Sequence, residues 1–124
     1  MSMDEFKLKV VSGGEVLVRF TVKRGFSPRV FSALNNLLPR VGVVIIGDTY
    51  VCLNMGLKIG IEKIITEASI GDVGYSPRFQ GLIFFTSDSS ECGLLRTALV
   101  GRISTPVERL RSLREGDVVS VVRD

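Results

Sequence analysis

The chain has 124 residues, 45% of them hydrophobic and 23% charged, with a formal net charge of +3. That length suits one compact domain able to bury about two-thirds of its unfolded surface without a metal or disulfide scaffold. Intrinsic disorder is excluded by the apolar content, a membrane-spanning helix by the lack of any apolar run near the roughly 20 residues it needs, and His-based catalytic or zinc sites by the absence of histidine.

The opening segment, MSMDEFKLKV, carries acids and no apolar leader core, so a cytoplasmic location and no membrane partner are expected. Phe6, Leu8 and Val10 alternate with Lys7 and Lys9, the period of a half-buried strand. Ser12-Gly13-Gly14-Glu15 supplies a turn, and Val16, Val18, Phe20 and Val22 continue the alternation, making a hairpin. Ser27-Pro28 then marks a helix start, with serine at the cap and proline in the first turn. Val30, Phe31, Leu34, Leu37 and Leu38 form a helical stripe, and Pro39 ends it.

Val41–Ile46 and Thr49–Leu53 read as strands joined by Gly47-Asp48. The Gly56–Ser69 stretch has no clear period and is expected to be irregular, with room for one helical turn. Val73–Tyr75 and Leu82–Thr86 are strands separated by the loop Ser76-Pro77-Arg78-Phe79-Gln80-Gly81, and Ser87–Gly93 is a polar loop. Leu95–Ser104 reads as a strand. Thr105-Pro106-Val107-Glu108 has the form of a capping box, which predicts a helix over Thr105–Glu115 closed by Gly116 in the left-handed conformation. Val118–Val122 is the closing strand. About eight strands and two helices result. Short strands separated by turns favour a closed barrel, with the helices over its ends.

Chemistry is sparse. Cys52 and Cys92 are the two cysteines, expected as small, partly buried free thiols; a pairing between them stays open for an oxidising or extremophile cell. The chain lacks the phosphate-loop, dinucleotide-fold, nucleophile-elbow and EF-hand patterns, so no cofactor and no metal are expected. Arg102, Arg109, Arg111, Arg114 and Arg123 crowd the last quarter. They are interrupted by Glu108, Glu115, Asp117 and Asp124, and no aromatic residue follows Phe85. A solvated charged face is therefore preferred to a nucleic-acid surface.

The order and local motifs resemble a cyclophilin. The resemblance rests on Phe20 through Ser27-Pro28-Arg29-Val30-Phe31 to Leu38, on Gly81-Leu82-Ile83-Phe84-Phe85, and on Gly101-Arg102-Ile103 with the segment to Leu113. Gly71-Asp72-Val73-Gly74-Tyr75 and the Gly101–Val121 ending are similar to small cyclophilin-like proteins of archaea and thermophilic bacteria. The resemblance implies a mainly β chain with two helices, a cyclophilin-like closed eight-stranded antiparallel β-barrel. True cyclophilins are peptidyl-prolyl isomerases, using an arginine beside an apolar groove. The family's arginine and glutamine motifs have no counterpart between Thr49 and Gly60, and of the groove residues Phe85 alone matches.

The expected function is thus a non-catalytic ligand- or peptide-binding module. The alternatives are a prolyl isomerase with a relocated arginine, Arg78, and an accessory subunit of a small-molecule enzyme. The expected site is a barrel-wall groove: Phe85 as its floor, Arg78, Phe79 and Gln80 from the flanking loop, and Tyr50 and Met55 on the opposite wall. The ligand is a peptide or small molecule, with a carboxylate or carbonyl favoured by Arg78. A homo-oligomer or a partner chain stays open.

Overall fold

Alternating apolar and polar residues build the first two strands, β1 (Glu5–Ser12) and β2 (Glu15–Lys23), across a turn where Gly13 and Gly14 both take positive φ. The remaining elements are α1 (Pro28–Leu37), β3 (Arg40–Ile46), β4 (Tyr50–Asn54), β5 (Asp72–Ser76), β6 (Gly81–Phe85), β7 (Ala98–Ile103) and β8 (Val118–Arg123). The computed structural model describes residues 4–124; Met1–Met3, part of the segment behind the leader expectation, lie outside the described residues. The strands close a barrel in the order β1-β2-β7-β5-β6-β4-β3-β8, with β8 returning to β1 and every neighbouring pair antiparallel. The mainly β, closed eight-stranded antiparallel barrel is therefore present. Among the described residues, no helix is long and apolar enough to cross a membrane.

The second helix is a correction. Over Thr105–Glu115 the chain forms only a 3-10 turn, Glu108–Ser112. Thr105 does not cap it: its Oγ1 accepts the Arg19 N–H of β2 at 3.0 Å, so the supposed capping residue serves the sheet instead. Gly116 does take positive φ, as the left-handed stop requires. Leu95 lies outside the strand expected to begin with it, since β7 starts at Ala98. The 56–69 stretch is irregular, without the helical turn. Ser27 is the N-cap of α1 and Pro28 its first residue, but the serine side chain makes no capping bond.

Two hydrophobic layers result. The barrel interior holds Leu8, Val10, Phe20, Val51, Leu53, Leu82 and Phe84, with Val30, Phe31 and Leu34 of α1 and Leu110 beside them. Phe6 meets Phe31 at one barrel end, while Arg109 and Arg111 of the 3-10 turn reach Val16 and Thr86 at the other. A second cluster lies outside the wall. Cys52, Ile83 and Phe85 alternate with the interior residues of β4 and β6 and pack with Ala68, Cys92 and Leu95 from the long connections. β6 is consequently buried on both faces, which is why it reads Gly-Leu-Ile-Phe-Phe without alternation.

Candidate functional site

Three residues tie down the Ser76–Gly81 loop. Gln80, at φ 54°, turns its carbonyl toward the segment after β4, where it accepts the N–H of Met55 at 3.2 Å and of Leu57 at 2.9 Å. The Ser76 hydroxyl donates to the carbonyl of Leu95. The Arg78 guanidinium reaches the Leu94 carbonyl at 3.3 Å and is otherwise exposed. Gly81 begins β6 because nothing larger fits: a Cβ there would lie 1.6 Å from the Leu53 carbonyl oxygen.

This loop brings part of the expected site together. The half-buried rings of Tyr50 and Phe79 lie 6.1 Å apart, and Tyr50 meets Phe85 edge-on at 6.4 Å. Phe85 is fully buried within the outer cluster, so it supports the Tyr50 ring rather than forming an open floor. Met55 lies apart from this group, in the interior cluster. Gln80 is tied through its carbonyl to Met55 and Leu57 rather than to the rings. Arg78 is the exposed charge closest in sequence to Phe79.

Burial dominates the electrostatics of the titratable groups around Tyr50 and the two cysteines. Burial raises the Tyr50 phenol above its ordinary range; the charges of Cys52, Glu91 and Asp48 add to the rise, and Arg78 opposes it. Burial pushes the Cys52 thiol up to about 12, with a smaller contribution from Glu115. The Cys92 thiol is raised mainly by burial as well. Both cysteines are free and buried. A neutral buried thiol is a poor nucleophile.

Tyr50 also borders a hollow of about 220 Å³ at the barrel end, together with Ile46, Asp48, Thr86, Leu110 and Arg111. Arg111 donates to the Thr86 carbonyl at 2.8 Å, which fixes the guanidinium on that rim. Arg111 was missed in the site reading of the sequence, because only the fold brings it to the end of β6.

A larger groove of about 420 Å³ lies elsewhere, between Val16–Arg19 of β2 and the segment around Thr105, Pro106, Glu108 and Arg109. It too escaped the sequence reading. Its one local signal is Val16-Leu17-Val18, where three apolar residues in a row break the alternation of the hairpin. The register there passes from Val10↔Val18 to Val11↔Val16, so Leu17 is the extra residue of a bulge.

No family model matches the chain, and no curated protein does. Among solved structures, the solution structure of the hypothetical protein AF2241 from Archaeoglobus fulgidus is similar, with a TM-score of 0.70 over 98% of this chain and 96% of that one. Sequence identity across the match is 16%, so what the two chains share is the fold.

Proposed function

We propose that the chain is a non-catalytic ligand- or peptide-binding module on a cyclophilin-like barrel, with Tyr50, Phe79 and Arg78 as its contact surface. The observation that carries this reading is the pair of half-buried rings, Tyr50 and Phe79, 6.1 Å apart over the buried Phe85. Rings fixed from beneath lose little freedom when they meet a ligand, and they offer a flat apolar surface with a polar edge. The hollow beside Tyr50 gives room for one apolar side chain. Arg78 supplies a planar donor for a carboxylate or carbonyl.

The test is an amide-shift titration of the isotope-labelled protein with a blocked dipeptide, acetyl-Leu-Glu-amide. Shifts centred on Tyr50, Arg78 and Phe79, weakened about fivefold or more by Tyr50→Ala, support the reading. Shifts absent from all three residues at millimolar peptide overturn it. A protease-coupled proline-peptide assay addresses the isomerase alternative, which rests on the exposure of Arg78. A rate increase abolished by Arg78→Ala replaces the binding module with an isomerase.

A further inference from the structure

We infer that the groove between β2 and the Thr105–Arg109 segment is a second binding site, which takes a small apolar carboxylate. The groove exists because β7 leaves β2 early. Their ladder covers Phe20, Thr21 and Val22, whereas β2 begins at Glu15. Beyond the ladder, Ser104 N–H donates to the Arg19 carbonyl at 2.9 Å, and the Thr105 hydroxyl accepts the Arg19 N–H. The chain then turns away through Pro106, and about 420 Å³ opens over the bulged Leu17 and Val18. That volume falls near the small end of ligand pockets.

The floor is apolar and the rim carries two guanidinium groups. Leu17 and Val18 are buried beneath the groove, and Pro106 forms part of the far wall. Arg19 and Arg109 share the lining with one carboxylate, Glu108, and each pairs with a further carboxylate outside it, Asp124 and Glu15. Arg109 is oriented in advance: its guanidinium donates to the Val16 carbonyl at 3.0 Å. Its present ionic partner is Glu15 at 3.3 Å, with the two side chains 63% and 65% exposed. Arg19 pairs with Asp124 at 3.1 Å, a less exposed carboxylate that Lys9 also approaches at 3.8 Å, so this pair stays in place. The Arg109–Glu15 pair is exposed on both sides and therefore weak, so exchanging Glu15 for a ligand carboxylate costs little, while the apolar part of the ligand gains burial over Leu17 and Val18. A neutral amide of the same shape keeps a carbonyl acceptor but loses the charge-assisted, two-oxygen pairing with the guanidinium. The same chemistry is presented by a free short-chain carboxylate and by the last residue of a peptide.

Amide-shift titrations with 4-methylpentanoate, with acetyl-leucine, and with 4-methylpentanamide as the uncharged control test the site. The expected result is saturable shifts at Val16–Arg19 and around Glu108 and Arg109 for both acids, and about tenfold weaker binding of the amide. Tighter binding of acetyl-leucine than of 4-methylpentanoate identifies a peptide end as the source; equal or weaker binding identifies a free carboxylate. Arg109→Gln should weaken the acids about tenfold. Because that change also removes the tie to Val16, Glu108→Gln is the second variant and should tighten them. Equal binding of acid and amide, an unchanged affinity in both variants, or shifts confined to Tyr50 and Phe79 overturns the proposal. The last outcome would leave the binding-module reading standing.

Discussion

Phe84 and Phe85 are consecutive on β6 and belong to different hydrophobic layers. Phe84 packs edge-on against Phe20 inside the barrel, with ring centroids 5.0 Å apart. Phe85 lies outside the wall with Cys52, Cys92 and Leu95. Truncating either ring to alanine should cost about 3–5 kcal/mol, but the consequences differ in place. Phe84→Ala should lower hydrogen-exchange protection throughout the strands. Phe85→Ala should release the amides of 87–97 first, with the strands opening only globally. Identical protection patterns in the two variants would show the layers to be one cooperative unit.

The thiols make stability depend on alkaline pH. The Cys52 thiol ionises near 12 in the fold, against an ordinary 9.0. The raised folded value means that its contribution is fully present below pH 9 and is lost progressively between 9 and about 12, as the unfolded chain ionises first. Cys92, Tyr50 and Tyr75 are shifted in the same direction. Urea midpoints should therefore fall as pH rises above 9. In Cys52→Ala the decline should be shallower by up to about 1.4 kcal/mol per pH unit. Alkylation of the folded protein at pH 8 should leave Cys52 unmodified.

Tyr75→Phe should destabilise by about 2 kcal/mol, because the hydroxyl it removes is one that the 56–71 segment cannot replace. That hydroxyl donates to the Leu57 carbonyl and accepts the Ile59 N–H at 3.0 Å, from a ring that is itself fully buried. Thermal melts and exchange at Ile59 check both the size and the place of the loss.

Gly81→Ala should cost about 3 kcal/mol, since the added methyl must push β6 away from the Leu53 carbonyl. Gly93→Ala is the matched control. Its Cβ meets nothing within 4 Å and its φ is not in the left-handed region, so its midpoint should move by less than about 0.5 kcal/mol.

The strands were legible where alternation is local, as in Phe6, Leu8 and Val10 against Lys7 and Lys9. The start of α1 was legible from Ser27-Pro28. Elements whose partners are distant were less so. Thr105 has the form of a cap, but its hydroxyl is taken by the Arg19 N–H, 86 residues away in sequence. No local pattern encodes such a bond. The outer layer is similar. Parity assigns Phe84 and Phe85 to opposite faces, yet the cover over Phe85 comes from Ala68, Cys92 and Leu95, on connections without periodicity. Within the candidate site, Tyr50 and Phe79 do meet. Met55 turns inward, since the residues after β4 are bound to the Gln80 carbonyl and follow the barrel interior.

The position of β8 has a kinetic consequence. It joins β1 to β3, so the cylinder cannot seal until it docks. Before that moment β1 and β3 both present open edges, and the outer faces of β3 and β8 carry Val41, Val43 and Val118 well exposed even in the finished fold. Assembly that waits on a pairing between strands as distant in sequence as β1 and β8 is slow relative to helical chains of the same size. During that interval the valine-rich edges are the surfaces on which two half-folded molecules would join, so refolding yield should fall with protein concentration while the native state remains tolerant of it.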